Sequence, residues 1–576
     1  MYIATIPNRN SPPAILLRES YRQNGKVKNR TLANLSKWPP DKVEALRQAL
    51  KGKASISPDE AFEIHRSLPH GHIAAVIGTL KKIKLDHIIA SKRSFHRDVV
   101  VAMIAARIID PASKLATARG LRDETAFTSL GEILGVTSVT EVNLYEAMDW
   151  LFSRKDRIEK TLARKHLGEG SLILYDVTST YFEGNKCSLA KWGHNRDGKK
   201  DKLQIVIGVL CNAGGCPVGV EVFEGNMSDT KTLKVQIQKI RQRFGIQRMV
   251  LVGDRGLITE SRIRDELGAD KDLDWITALR APAIKKLVME KVLQPSLFDE
   301  WGLCEIRSED YPGERLIVCR NPLLAEERRR KREELLAVTE GELEKIKRAT
   351  KRDKRRLKGA DKIGIRVGRV LNRYKMGKHF KLEITDDGFT YTRNEGKVQL
   401  ETSLDGIYIV RTSVNKEELG SEEVVKAYKN LSVVERTFRS LKTVDLKVRP
   451  VYHWLADRVR AHVFLCMLAY YVEWHMRIAL APILFDDDNK LEVESQRSSA
   501  VAPAVRSKRA QQKARIKRTE EDMPVHSFRT LLKDLTTLTK NWVIPKVNSG
   551  APFVMFSNPT PLQKKVFELL GISYKM

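Results

Sequence analysis

Two short apolar segments that each end in an aspartate constrain the fold of this chain most strongly. The runs SLILYDVT and MVLVGD predict buried strands that end at Asp176 and Asp254. Three more strand-like runs, KLQIVIGVLC, PVGVEVF and DWITALR, lie in the same region, and helical stretches flank MVLVGD. The order of three strands, helix, strand, helix and strand predicts an α/β fold with a mixed five-stranded sheet.

In a mixed sheet, the first and fourth strands can be neighbours, which would place Asp176 and Asp254 side by side. Two facing carboxylates repel each other unless a cation lies between them. Oxygen ligands without cysteine or histidine favour Mg²⁺ or Mn²⁺ over zinc. The pair therefore predicts a divalent-metal site, although each aspartate alone is a weak signal because strands often end in Asp.

A third carboxylate from a helix would complete a site for two metal ions, and we assign it to Glu435 in LSVVERTFRSLK. Arg439 and Lys442 follow on the same helical face. An exposed ion pair would produce the same spacing, so this helix alone does not decide the assignment. Two ions about 4 Å apart can serve the attacking and the leaving oxygen of a phosphodiester, with water or a DNA 3′-hydroxyl as the nucleophile.

The charge of the chain favours a polyanionic partner. Lys and Arg outnumber Asp and Glu by 102 to 72 among 576 residues, which gives a formal net charge of +30. Nucleic acid is the commonest such partner, because its phosphates supply affinity that does not depend on base sequence. A generally basic soluble protein is the alternative that charge alone leaves open.

Cysteine usage and hydropathy predict a cytoplasmic protein without a membrane segment. The six cysteines suggest reduced, mostly buried thiols. Cys211 and Cys216 are too far apart for a CxxC motif, and we predict no histidine pair that completes a zinc site. The N-terminus has no signal pattern, and the apolar residues 461–472 are too few to span a membrane, so we interpret them as a buried helix.

The remaining patterns divide the chain into further modules. Asn24-Gly25 between two strand-like runs indicates a β-hairpin. Helical periodicity begins near Pro58, and the segment around Gly135 resembles a helix-turn-helix that is either an ordinary helix pair or a DNA-reading one. The highly charged residues 325–375 favour a solvated helical hairpin over a specific site. We expect a β-hairpin module (1–55), a mostly α-helical DNA-binding domain (56–168), the first part of the α/β core (169–284), an insertion with a charged arm and β-strands (285–420), the second part of the core (421–485), a basic linker (486–525) and a C-terminal module (526–576).

Five short motifs, in a fixed order, carry a resemblance to a known family. The two acids lie in an Asp-x-Thr motif at 176–178 and an Asp-Arg-Gly motif at 254–256. Between them come a loop, GHNRD followed by DKLQ, and a turn, GNMSD, with Thr232. Tyr428, Glu435 and Lys442 have the spacing of the signature Y-x2-R-x3-E-x6-K. Over roughly residues 171–275 and 421–476, the chain resembles DDE-class insertion-sequence transposases of the bacterial group that carries this signature.

The resemblance implies a ribonuclease H-like catalytic core with a mainly β insertion before the glutamate helix. It implies that Asp176, Asp254 and Glu435 bind two Mg²⁺ or Mn²⁺ ions, and that Tyr428 and Lys442 contact DNA phosphates.

One signature position differs from the family pattern, because the expected arginine is Leu431 here. Arg436 or Arg439, which are nearby on the same helix, could replace its phosphate contact.

Other basic and aromatic residues are predicted to contact DNA. Trp275 and Trp301 could stack on a flipped base, as an aromatic residue of the insertion does in relatives, although simple packing explains each more readily. Arg449, His453, Arg458 and Arg460 could extend the phosphate-binding face. The remaining predicted DNA contacts are His194, Arg196, Lys199 and Lys200 in the basic loop and Arg255 beside the second acid.

The resemblance implies a DNA transposase of a prokaryotic insertion element, located in the cytoplasm and associated with the nucleoid. Its expected partners are double-stranded DNA, as terminal inverted repeats and as target, and a second copy of the chain in a homodimer on DNA. Two alternatives remain open. One is another ribonuclease H-like metal nuclease, such as a junction resolvase, and the other is an inactive DNA-binding repressor derived from a transposase, although all three acids are present.

Overall fold

The computed structural model describes all residues except 10, 53–60, 195, 200, 269, 294–301, 490–492, 494–498, 502–505 and 547–550. The described chain forms two compact units. The smaller unit contains Met1–Gly71 and Thr536–Pro559, and the larger contains His72–Leu535 and Thr560–Met576.

The smaller unit is built from two antiparallel three-stranded sheets. Strands β1 (Tyr2–Ile6), β2 (Ala14–Gln23) and β3 (Lys26–Asn34) form the first sheet, and Asn24-Gly25 makes the predicted turn between β2 and β3. A helix, Pro40–Leu50, follows. The second sheet has the order β16-β15-β4 and consists of β4 (Phe62–Pro69), β15 (Thr539–Pro545) and β16 (Phe553–Phe556).

The larger unit begins with helices, later than the sequence predicted. Periodicity suggested a helical domain from about residue 56, but residues 62–69 form β4, and the first helix of this region starts at Gly71. The helices are Gly71–Lys82, Leu85–Ile89, Phe95–Ile109, Lys114–Leu121, Leu130–Leu134, Glu141–Phe152 and Lys155–His166.

The segment that resembles a helix-turn-helix is a helix pair with an acidic surface. Leu130–Leu134 and Glu141–Phe152 are joined through Gly135, which has a left-handed conformation. The second helix packs against two long helices of the core and exposes Glu146 and Asp149. Asp149 is paired with Arg458 at 2.9 Å, so these carboxylates do not decide between the two alternatives, and DNA reading by this helix pair stays a prediction.

The core sheet has eight strands in the order β10-β11-β14-β9-β8-β5-β6-β7, where five were predicted. The five predicted strands form a contiguous block in which β5 pairs in parallel with β8, as expected. The insertion adds three antiparallel strands beyond β9. Local sequence patterns could not show the pairing of β14 with β9, because the paired residues are too distant in sequence. The eight strands are β5 (Ser171–Tyr181), β6 (Gln204–Asn212), β7 (Pro217–Glu224), β8 (Met249–Val252), β9 (Leu273–Ala278), β10 (Leu303–Ile306), β11 (Arg315–Arg320) and β14 (Ile407–Thr412).

Helices cover this sheet and enclose a hydrophobic core that includes Ile173, Tyr175, Leu251 and Trp275. Three of the covering helices end in a π-helical turn, which continues Asp229–Gln238 to Phe244, Glu260–Arg262 to Leu267, and Leu431–Arg439 to Val444. The other covering helices are Ala281–Met289, Ser421–Lys429 and Ala456–Leu480.

The rest of the insertion contains more helix than strand, so the expectation of a mainly β insertion is wrong. Its three helices have 29, 15 and 9 residues, whereas its hairpin has two strands of 5 residues each. The charged arm is a helical hairpin, as predicted, and buried residues such as Leu336, Leu343 and Val367 pack it onto the β-hairpin. The elements are the helices Pro322–Thr350, Ala360–Tyr374 and Glu395–Ser403 and the strands β12 (Phe380–Ile384) and β13 (Phe389–Arg393).

The two C-terminal segments also differ from the predicted linker and module. Within residues 486–525, Lys508–Ile516 is a helix, and the buried Lys513 ammonium bonds Ala481 O at 2.8 Å. Within residues 526–576, the helices Phe528–Leu535 and Pro561–Leu570 belong to the larger unit, while β15 and β16 belong to the smaller. The basic composition of the first segment and the short length of the second concealed these tertiary contacts.

The helix Ala456–Leu480 is the predicted buried helix, and it is longer than the apolar stretch that suggested it. Together with the turn to Ile483 it is long and apolar enough to cross a membrane by length and composition, but 72% of its most apolar window is buried inside the protein. It packs against β7 and two helices of the N-terminal region, as the core helix of a folded domain does.

Candidate active site

The register between β5 and β8 brings Asp176 and Asp254 to equivalent positions. The last paired residues of these parallel strands are Leu174 and Val252, and each aspartate lies two residues further along. Asp254 follows the end of β8, as predicted. Asp176, in contrast, lies in the middle of β5, because this strand continues beside β6 as far as Tyr181.

Backbone amides hold one oxygen of each aspartate. Asp254 Oδ1 accepts hydrogen bonds from the amides of Gly256 at 2.9 Å and Leu257 at 2.8 Å. Asp176 Oδ1 accepts from the amide of Val177 at 2.7 Å. Both carboxylates are therefore oriented by the backbone without a side-chain cation bound directly to them among the described residues.

All three predicted acids line one cavity of about 820 Å³. Glu435 is exposed on the helix Leu431–Arg439, and its neighbours Val434 and Phe438 pack inward. Six other predicted DNA-contact or signature residues line the same cavity: Arg196, Arg255, Tyr428, Leu431, Arg439 and Lys442.

The charges in this cavity are poorly balanced around Asp176. Burial raises the pKa of its carboxyl to about 7, and the nearby carboxylates of Asp254 and Glu435 contribute to that rise, whereas the hydrogen bond from the Val177 amide and the charge of Arg196 oppose it. Burial also raises the pKa of the Tyr428 hydroxyl, and the same three acids add to that shift. A carboxylate whose pKa is raised by burial and by two neighbouring acids favours a cation beside it.

Lys442 is held by the protein rather than directed to solvent. Its ammonium donates to Thr178 Oγ1 at 3.1 Å and to the Ser179 carbonyl at 2.6 Å, and it pairs with Asp197 Oδ1 at 2.9 Å. Arg449 pairs with the other oxygen of Asp197 at 3.3 Å. Lys442 thus connects the helix that carries Glu435 to the strand that carries Asp176, a role that the sequence did not suggest.

A second connection joins the basic loop to the turn before the helix Asp229–Gln238. The Arg196 guanidinium bonds the Val177 carbonyl and the Asp229 carboxylate. A Cβ on Gly193 would lie 2.2 Å from the carbonyl oxygen of Gly225, so the two backbones approach too closely for any side chain. This contact requires glycine at position 193, and a Cβ on Gly225 would in turn lie 2.0 Å from the carbonyl oxygen of Gln204.

Several predicted site residues do not line the cavity. Arg436 is exposed beside Glu435, and His194 and Lys199 are exposed in the basic loop. Lys200 and Trp301 lie outside the described residues. Trp275 is wrong as a base-stacking residue, because only 2% of it is exposed and it packs in the core of the sheet.

A second cavity, of about 690 Å³, is basic, and we call it the basic cavity. The sequence indicated Arg449, His453 and Arg458 as an extension of the phosphate-binding face, and all three line it, whereas Arg460 pairs with Asp457. The sequence did not indicate Arg107 and Lys114, because they belong to distant helices. The other lining residues are Pro111, Ala112, Ser113, Tyr145, Pro450, Tyr452, Trp454, Leu455 and His462.

Lys114 is the unusual residue of the basic cavity. It is only 6% exposed, and no hydrogen bond or ion pair joins its ammonium to another described residue. Burial, together with a smaller effect of the nearby Arg107 charge, lowers its pKa to about 7. Since none of the described lining residues is acidic, this cavity suits an anion.

Two family models match the chain. The model of the Transposase DDE domain matches residues 167–472, and that of the IS1634 family transposase, N-terminal domain, matches residues 3–61. Among solved structures, the cryo-EM structure of a piggyBac transposase synaptic complex with hairpin DNA is 9% identical, with 81% of this chain and 76% of that chain covered and a TM-score of 0.33. No curated protein matches this chain in sequence.

Proposed function

Since this chain belongs to the Transposase DDE domain family, we propose that Asp176, Asp254 and Glu435 are the metal ligands with which it cleaves DNA. The chain is a DNA transposase of an insertion sequence and a metal-dependent enzyme with a ribonuclease H-like core. The observation that supports the three residues most directly is their convergence on one cavity from positions up to 259 residues apart in sequence.

The residues present fit divalent metal ions. The donors are all carboxylate oxygens, which Mg²⁺ and Mn²⁺ prefer. Among the described residues, these acids do not form a cluster whose ligand atoms all lie within 4.8 Å of one another. We propose two ions, because two ions about 4 Å apart can serve both the attacking and the leaving oxygen of a phosphodiester.

When bound, the ions would supply an activated water or 3′-hydroxyl and stabilise the leaving oxygen. The chain's own residues orient the reactants. Backbone amides fix Asp254, while Lys442 and Arg196 hold β5 against the glutamate helix and the neighbouring turn. Tyr428, Arg255 and Arg439 line the cavity and are our proposed phosphate contacts there.

The spacing of Tyr428, Glu435 and Lys442 supports membership of the Y-x2-R-x3-E-x6-K group. In this proposal Lys442 acts first as a positioning residue, because Thr178, Ser179 and Asp197 occupy its three donors. Arg439 takes the place of the missing signature arginine, since it lines the cavity while Arg436 does not.

We extend the proposal to the partners of the enzyme. Its DNA substrates are the terminal inverted repeats and the target, and pairing two ends requires a homodimer on DNA. The net charge of +30 and the basic cavity support extended phosphate contact. We propose a cytoplasmic, nucleoid-associated location without membrane contact, supported by the burial of the long apolar helix.

Cleavage of DNA that carries the element ends tests the three acids. With Mg²⁺ present, we expect Asp176→Asn, Asp254→Asn and Glu435→Gln each to abolish nicking, while Asp353→Asn, a change at an exposed aspartate, leaves it unchanged. Wild-type nicking by any of the three variants would refute the assignment of that residue.

Two further assays separate the transposase from its alternatives. A resolvase would cut DNA but would not join pre-cut 3′ ends to a target, whereas this chain should do both. A repressor would bind the repeats with equal affinity in the wild type and in Asp254→Asn, and neither would cleave. The presence of all three acids in one cavity favours the active enzyme.

A further inference from the structure

One cysteine and two histidines from three distant parts of the chain meet outside the carboxylate cavity. His166 ends the helix Lys155–His166, Cys216 precedes β7, and His475 lies in the helix Ala456–Leu480. One potential ligand atom from each residue lies within 4.8 Å of the other two. None of the three lines the cavity that contains Asp176, Asp254 and Glu435.

We propose that His166, Cys216 and His475 bind a zinc ion, with a water molecule as the fourth ligand. A thiolate and two imidazoles are a ligand set that zinc prefers, and they are unlike the carboxylates that suit magnesium. Tetrahedral ligands of zinc lie about 3.5 Å apart, so small side-chain movements would complete the site. The sequence predicted no zinc site because its ligands are separated by 50 residues or more.

The hydrogen bonds of the two histidines support a ligand here. His475 Nε2 is buried and has no hydrogen-bond partner, which is costly for an imidazole nitrogen. The second histidine is oriented from outside the cluster, since His166 Nε2 lies 2.9 Å from the hydroxyl of Tyr471. Aromatic packing accounts for the ring positions, such as the 4.7 Å between the rings of Tyr471 and His475, but it leaves that nitrogen unsatisfied.

Exposure and charge also fit the proposed ion. Cys216 is fully buried, while His166 and His475 are half-buried, so the ion can enter from solvent and a water can complete its coordination. On binding, the Cys216 thiol would release its proton to solvent, and the thiolate sulfur would donate an electron pair to zinc.

A zinc ion at this site would stabilise the β6–β7 turn, which packs against the helix that carries Glu435. Cys216 ends the turn between β6 and β7, and its amide bonds Asn212 Oδ1 at 2.9 Å. In the same turn, a Cβ on Gly215 would lie 2.1 Å from Val433 Cγ1, so the turn packs directly against the helix that carries Glu435. Zinc would therefore join this turn to the two helices that pack beside it.

Metal analysis of the full-length chain, purified without a histidine tag, tests the site. We expect zinc at about a one-to-one ratio after dialysis against metal-free buffer. Cys216→Ser should lose it. Two matched controls should keep it: Cys211→Ser, a buried cysteine outside the cluster, and Asp254→Asn, which alters only the carboxylate site.

Cobalt spectroscopy of the wild type provides a test that does not depend on a folded variant. Co²⁺ bound here should show thiolate-to-cobalt charge-transfer absorption, and added Zn²⁺ should abolish it. Absence of that absorption, or equal zinc in the wild type and Cys216→Ser, would overturn the proposal. Because Asp254→Asn should lose cleavage but retain zinc, failure of this site and failure of the catalytic assignment are distinguishable.

Discussion

Asp176 carries a charge that the folded chain does not balance by itself. Asp176 is half-buried in a cavity that two other acids also line, and its pKa is raised from 3.8 to about 7. A bound divalent cation reverses that imbalance, because it attracts the ionised form. At the scale of single residues, the proposed metal binding would therefore be linked to stability at this position.

The pH dependence of stability should reveal this link. The folded state binds the Asp176 proton more tightly than the unfolded state, so the stabilisation is complete below about pH 4 and is lost as the pH rises through about 7. In magnesium-free buffer, Asp176→Asn should melt at a higher temperature than the wild type at pH 8, and the difference should shrink at pH 5. Thermal melts across this range measure it.

Two comparisons control this experiment. Asp353→Asn changes an exposed aspartate and should show no pH-dependent gain. Added Mg²⁺ should raise the melting temperature of the wild type at pH 8 but not that of Asp176→Asn. If the melting temperatures of the wild type and of Asp176→Asn changed equally with pH, Asp176 would not be the residue responsible for the pH dependence.

Leu431 provides a second residue-scale prediction, because it lines the active-site cavity where the signature has arginine. Leu431→Arg should add one phosphate contact. DNA binding measured against salt concentration should then show a slope steeper by about 1 in log–log form. Leu431→Met keeps the size without the charge and should leave the slope unchanged. Weaker DNA binding by Leu431→Arg would show that this position does not face phosphate.

At the scale of elements, the close approach of the β6–β7 turn to the glutamate helix positions Glu435. Gly215 has a φ of +82° and almost touches Val433, which lies two residues before Glu435. The glutamate helix and its π-helical turn are also bonded to the long core helix Ala456–Leu480. Thr437 donates a hydrogen bond to the hydroxyl of Tyr470, and Ser440 donates one to the carboxylate of Glu473. The glutamate is thus presented by a helix that is fixed by a turn and by the long helix.

Gly215→Ala should disturb this arrangement. The left-handed backbone costs about 1 kcal/mol for a residue with a Cβ, and the contact with Val433 adds about 1 to 3 kcal/mol. We expect a lower melting temperature together with slower DNA cleavage. Gly245→Ala is the matched control, because Gly245 has a similar φ of +78° but open space around it, so only the smaller backbone cost should appear.

A double variant separates the steric effect. Adding Val433→Ala to Gly215→Ala removes the methyl group that the new Cβ would meet and should recover part of the lost cleavage rate. Equal effects of Gly215→Ala and Gly245→Ala would contradict a direct contact between turn and helix.

Local sequence patterns predicted the strands and helices of the core, but they missed the contacts between segments that are distant in sequence. Apolar runs and motif spacing indicated β5, β8 and the glutamate helix, which sufficed to bring the three acids together. Strand β14 beside β9 and the contacts of Lys442 depend on residues more than 100 positions apart. The buried packing of the charged arm was also hidden, because its apolar residues are few among many charges.

At the scale of the whole molecule, part of the positive charge lies in the basic cavity. Lys114 and Arg107 are buried, yet both line the basic cavity, together with Arg449 and Arg458. Within the described part of the chain, Arg107 donates only to backbone carbonyls, those of Lys447 at 3.5 Å and Ala112 at 3.3 Å. Buried cations without carboxylate partners reduce the stability of the free protein, and a bound phosphate would compensate them.

Lys114→Met should therefore change stability and DNA affinity in opposite directions. The pKa of Lys114 is lowered from 10.5 to about 7, so its contribution to stability is present above about pH 10 and is lost as the pH falls through 7. Removing the ammonium should raise the melting temperature at pH 6 more than at pH 9.

The same change should weaken DNA binding and reduce its salt slope by about 1, most clearly at low pH, where the ammonium is charged. Lys564→Met, which removes an exposed lysine from the C-terminal helix, should do neither. Unchanged DNA affinity in Lys114→Met at pH 6 would mean that the phosphate backbone does not enter this cavity, and the buried charge would then need another anion to balance it.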